Sequence, residues 1–144
     1  MKILILCTGN SCRSQMAHGF LQSFDSDLEV YSAGTKPADR VQPYSVQVMS
    51  ELDINISAHT PQHVNQYIGT NFDYVISVCD GAKEVCPVFT GSVRNRLHMG
   101  FDDPYDAIGT ENEILGEYRR VRDEIKQAFQ DLYDKTLKNE IHSS

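Results

Sequence analysis

The 144-residue chain predicts an α/β fold: a parallel sheet with helices on both faces. Two observations predict it. Short, wholly apolar runs alternate with amphipathic stretches, the pattern of strands buried on both sides and linked by crossover helices. Cys7 and Cys79 each end such a run, which places both at the carboxyl ends of strands, where ligands bind in sheets of this kind.

Residues 2–7 read as the first buried strand. Residues 14–24 read as a helix, with Met16, Phe20, Leu21 and Phe24 near helical spacing. Val30, Tyr31 and Ser32 suggest a second strand before a turn at Gly34. Residues 44–52 can form another helix, with Pro43 acceptable at its start, and a short helix is expected after Thr60 and Pro61. Residues 74–78 are the next buried strand and deliver Cys79. Residues 96–99 form a fourth, leading into Asp102, Asp103 and Pro104. The last helix carries the clearest signal. Thr110 and Glu113 can form a capping box, and Ile114, Tyr118, Val121, Ile125, Phe129 and Leu132 make one apolar stripe.

The length suits a single domain, residues 1–144. The apolar run at 3–6 is too short for a membrane span or a signal-peptide core, so the expectation is a cytoplasmic protein with no membrane partner. A formal charge of −7 argues against nucleic acid as a partner. A small anion can still bind where the attraction is local. Four cysteines in such a chain do not read as a structural disulfide framework.

The first strand runs into Cys7, Thr8, Gly9, Asn10, Ser11, Cys12, Arg13 and Ser14, and then into the first helix. A helix N-terminus offers backbone N–H groups and the positive end of its dipole. Amides curling around one point bind a tetrahedral oxyanion, and Arg13 adds a fork that grips two oxygens at once. Gly9 and Asn10 tolerate the left-handed backbone a tight loop needs. Ser14 is the right size to cap the helix or to donate to a thiolate. Such surroundings lower a cysteine pKa from about 8.5 to roughly 3.5–7.5. Cys7 is therefore the candidate nucleophile. The Cys-x5-Arg spacing alone is weak, and the strand–loop–helix order carries the weight; the bland alternative is a buried cysteine before a routine turn.

Cys7 through Ser14, followed by Gln15, Met16 and Ala17, resembles the anion loop of the low-molecular-weight protein tyrosine phosphatase superfamily. Within it the chain looks most like the thioredoxin-coupled arsenate reductases. Residues 31–34, 53–57, 100–104 and 119–125, with Cys79, Cys86 and Pro87, carry the likeness over most of the chain. The resemblance implies a four-stranded, doubly wound sheet of order 2-1-3-4. It implies reduction of arsenate to arsenite by a three-cysteine relay, Cys7 to Cys79 to Cys86, with thioredoxin as external reductant. Phosphate or sulfate would mimic the substrate. It assigns Asp103 as general acid; turn chemistry before Pro104 is the plain alternative.

Cys79 and Cys86 separate the reductase branch from the phosphatases. A helical segment would hold their α-carbons roughly 10 Å apart, whereas a disulfide needs about 4.4–6.8 Å. Joining them requires the segment to rearrange, and Gly81, Pro87 and Gly91 make that plausible. Two buried cysteines acting as small hydrophobes is the alternative. Cys12 reads as packing, or as a partner for Cys7 under oxidation.

No bound cofactor and no metal is expected. His59 and His63 straddle Pro61, and neither His18 nor His98 has a second ligand at metal spacing. Some reductases of this branch hold potassium near the loop, and Asn10 and Ser32 match positions associated with it. His18 stands where those members have glutamate, a poor exchange for a hard cation, so the ion is not carried over. Two rival readings remain: a phosphatase working through a cysteinyl-phosphate, and a non-enzymatic oxyanion-binding redox sensor. Against the first, Gln15 stands where phosphatases usually have proline, and Asp106 where they often have a second aromatic.

Overall fold

The computed structural model describes residues 1–79 and 89–142. Its chain order is β1 (Lys2–Cys7), α1 (Arg13–Phe24), β2 (Glu29–Gly34), α2 (Pro43–Ser50), β3 (Phe72–Ser77), β4 (Val93–His98), α3 (Glu111–Leu132) and α4 (Lys138–His142). The strands form one sheet of order β2-β1-β3-β4, and every pairing is parallel. Fold class and strand order are those expected.

β1 shows why a continuous apolar run is needed at the centre. Side chains alternate across a strand, so Ile3, Ile5 and Cys7 enter one core cluster while Leu4 and Leu6 enter the other. The first cluster is the larger and is closed by α1, α2 and α3, with Met16, Phe20, Tyr118, Ile125 and Phe129 buried against the sheet. The second lies under Val64 and Phe89, with Tyr31 and Tyr67 packed at its margin. β4 is an edge strand, and its Arg94, Arg96 and His98 face solvent in alternation.

Differences from the sequence reading lie at element ends. The helix expected after Pro61 is a single 3-10 turn, Val64–Gln66. α3 has the expected capping box, with Thr110 and Glu113 bonded reciprocally, but Leu115 is buried where Ile114 is only half-buried. Arg122 on the same helix is also buried; its Nη1 donates to Val48 O at 2.9 Å and to Glu51 Oε1 at 2.8 Å, tying α3 to α2. Beyond Leu132 the helix widens into a π-turn, Tyr133–Leu137, that buries Leu137. No helix among the described residues is long and apolar enough to cross a membrane.

Candidate active site

The loop between β1 and α1 is held from outside by its carbonyls. Thr8 O accepts from Lys36 N at 2.9 Å, Gly9 O from Ala38 N at 2.9 Å and Ser11 O from Gln42 N at 3.0 Å. Asn10 O accepts from Gln15 Nε2 at 3.1 Å, and Cys12 O from Met16 N at 2.9 Å. A trans peptide sends its N–H opposite to its C=O, and no peptide bond among the described residues is cis. Five consecutive amides, on Gly9 through Arg13, therefore turn toward the loop's inner side. Asn10 makes the curl possible with φ of 50°, the left-handed region an asparagine tolerates.

Gly34 closes the loop from β2. A Cβ there would sit 2.3 Å from Thr8 O, so the strand end presses directly on the loop's backbone. The inner side opens on a cavity of about 210 Å³ lined by Cys7, Ser11, Cys12, Arg13, Asp103 and Tyr105, among others. The first turn of α1 has no acidic residue, and its N-cap, Cys12, makes no side-chain cap bond. No acidic side chain of that turn competes with an anion for the helix's positive end.

Arg13 is buried, with Nη1 donating to Phe101 O at 3.2 Å and Nη2 to Asp103 Oδ2 at 3.4 Å. Its Nε is buried with no hydrogen-bond partner among the described residues. A buried N–H without an acceptor is costly, and an oxyanion in the loop supplies one. Asp103 is exposed and is oriented by Tyr105 N, which donates to its Oδ1 at 3.0 Å. Ser14 lies inside α1 and does not cap it; its hydroxyl accepts from Asn10 Nδ2 at 2.8 Å. Asp102 pairs with Arg120 on α3, at 3.1 Å.

Cys7, Cys12 and Cys79 are all buried in one core cluster. Val78 N donates to Leu6 O at 2.9 Å, and Cys79 Sγ donates to the same carbonyl at 3.7 Å. That carbonyl belongs to the peptide entering Cys7, so the second thiol lies against the backbone that carries the first. Burial pushes the Cys12 thiol up, away from thiolate; Ser45, Ser11 Oγ at 3.7 Å and Tyr118 OH at 3.9 Å are among its polar neighbours, and the side chain belongs to the larger core cluster. Cys86, with Gly81 and Pro87, lies outside the described residues.

Sequence reasoning missed the braces behind the loop. Gln15 Nε2 donates to both Asn10 O and Asn10 Oδ1, each at 3.1 Å, and Gln62 N donates to Asn10 Oδ1 at 2.9 Å. Gln15 Oε1 accepts from His59 Nδ1 at 2.9 Å. His59 packs against His18 with ring centroids 4.5 Å apart and the planes tilted by 32°, and His18 Nδ1 meets Ser32 Oγ at 3.0 Å. Burial, with His59 beside it, pushes the His18 pKa down to about 4, and burial also lowers that of His59. The contacts join residues far apart in the chain, and only the polar character of Gln15 inside an apolar helix face hinted at them. Asn10 and Ser32 are the positions that the resemblance associated with potassium. A hard cation needs charged or carbonyl oxygens, but the Asn10 and Ser32 side-chain oxygens are already engaged, and no carboxylate is among the residues lining the adjoining cavity.

This loop, with a strand-end cysteine beneath it and an arginine at the helix entrance, defines a class of oxyanion-binding enzymes. Residues 2–143 match the family model for low molecular weight phosphotyrosine protein phosphatase, and the chain belongs to that family. An arsenate reductase of Halalkalibacterium halodurans is 47% identical over 124 residues, which is 85% of this chain and 88% of that one. A solved arsenate reductase in its phosphate-binding state superposes with a TM-score of 0.77 at 29% identity, covering 93% of this chain and 97% of its own. A thioredoxin-dependent arsenate reductase of Corynebacterium glutamicum matches with a TM-score of 0.56 at 28% identity, over 90% of this chain and 61% of its own.

Proposed function

We propose that this protein reduces arsenate to arsenite through a thiol relay, with thioredoxin as the external reductant. The observation that carries the reading is the pairing of an anion loop above Cys7 with a second buried thiol, Cys79, bonded to the peptide that enters Cys7. A phosphatase needs only the first of these. The kinship to arsenate reductases supports the choice of substrate, and the thioredoxin-dependent relative supports the reductant.

In the proposed sequence arsenate binds with its oxygens on the loop amides and Arg13. The Cys7 thiolate attacks arsenic, an S–As bond forms, and a hydroxide leaves as water with a proton from Asp103. The Cys79 thiolate then attacks the Cys7 sulfur. The S–As electron pair passes to arsenic, which leaves as arsenite, and a Cys7–Cys79 disulfide remains. Cys86 attacks Cys79 and releases the Cys7 thiolate. The thioredoxin dithiol reduces the resulting Cys79–Cys86 disulfide and is itself oxidised.

The test is arsenate-dependent NADPH oxidation with thioredoxin and thioredoxin reductase. Wild type is expected to turn over continuously, and Cys86→Ser to lose at least about 100-fold. Continuous turnover by Cys86→Ser at the wild-type rate refutes the relay. One feature favours phosphatase action beside reduction. Tyr105 is exposed at the rim of the anion cavity and also lines a neighbouring cavity of about 380 Å³ with Arg40 and Gln42. Hydrolysis of p-nitrophenyl phosphate that survives Cys79→Ala, together with no arsenate turnover by the wild type, would reverse the ranking.

A further inference from the structure

We propose that Gln15, backed by His59, is the positioning residue that holds the anion loop in its binding shape, so that anion affinity does not depend on potassium. The inference rests on the loop being an oxyanion cradle, not on arsenate turnover. Asn10 is wholly buried and carries the loop's one left-handed backbone among the described residues. Turning it back to an ordinary φ would swing the adjoining amides out of the cradle. Gln15, itself buried, is the only side chain among the described residues that grips Asn10 by both backbone and side-chain oxygens.

Hydrogen-bond bookkeeping fixes every role. The two Asn10 oxygens take the amide NH2 of Gln15, so Oε1 must face His59 and accept its Nδ1 proton. His59 is thereby held as the Nδ1–H tautomer, and its ring is seated against His18, which is anchored on β2 through Ser32. The chain of contacts runs from loop to α1, to the segment before β3, and to β2. Each link is neutral. Tyr31 and Tyr67 are the other titratable groups lining this cavity. A monovalent cation would have to displace a bond already made, and it would find no charged oxygen in exchange.

The experiment measures sulfate binding calorimetrically, because sulfate stays a dianion across the working range. Potassium chloride and choline chloride are compared at equal ionic strength. The wild-type Kd should agree within about twofold between the salts, and Gln15→Met, which keeps the shape without donors, should bind sulfate roughly tenfold more weakly in both. A role confined to stability would lower the melting temperature of Gln15→Met and leave its Kd alone, which overturns the proposal. So does a tenfold tightening of wild type by potassium. Should Gln15→Met not fold, His59→Phe replaces it: it keeps a ring against His18 but removes the proton given to Gln15, and must weaken sulfate severalfold in both salts.

Discussion

Arg13 is placed so that its Nη atoms are spoken for and its Nε is not. Lysine cannot reproduce that arrangement, since it is a single point of charge on a flexible stem. Arg13→Lys should lower kcat/KM for arsenate by about 10²–10³-fold, in the range seen when one oxyanion donor is lost; retention of a tenth or more of the activity would speak against the grip. Gly34→Ala meets the loop backbone, not a movable side chain. It should cost about 1–3 kcal/mol in stability, and because the strain falls on Thr8 it should also weaken phosphate binding, read by titration calorimetry. Cys7, Arg13 and Asp103 were legible in the sequence because the first two share one short motif and the third precedes a proline. Gln15 and His59 were not, because 44 residues separate them and no local pattern announces a contact made only when the sheet closes.

Between elements, polar bonds decide geometry that apolar packing leaves free. Strand and helix positions followed from periodicity, and even the α3 cap was readable from Thr110 and Glu113. The pairing of Arg122 with α2 was not, since a charged residue on a long helix ordinarily faces water. Arg122→Ala should destabilise the fold by about 2–4 kcal/mol in urea unfolding, because Val48 O and Glu51 lose a buried partner. His18 joins α1 to β2 and carries a pH consequence. Its folded pKa is depressed, so as pH falls the unfolded chain takes up the proton first. The stability tied to its neutral form is full above roughly pH 6.5 and is lost as pH drops toward about 4, on the order of 3 kcal/mol in all. Thermal melts of His18→Asn between pH 7 and 4.5 should therefore show a shallower acid decline than wild type. Equal slopes would remove His18 from that account.

At the scale of the molecule, the parallel sheet brings the ends of β1 and β3 together and sets the Cys79 thiol against the backbone that enters Cys7. Strand order places the loop, Cys79 and the Asp103 turn on one end of the sheet, though they lie up to 96 residues apart in the chain. That convergence was readable in outline, because each group follows a strand and all strands run the same way. The contact of Cys79 with the Leu6 carbonyl was not, since it joins residues 73 apart in the chain and no local pattern announces it. The central claim is that this neighbourhood carries electrons from sulfur to arsenic. Reduced Cys86→Ser should be mixed with one equivalent of arsenate, quenched with an alkylating agent and mapped by mass spectrometry. One equivalent of arsenite together with a Cys7–Cys79 disulfide is the predicted result; full alkylation of both thiols with no arsenite formed would contradict it.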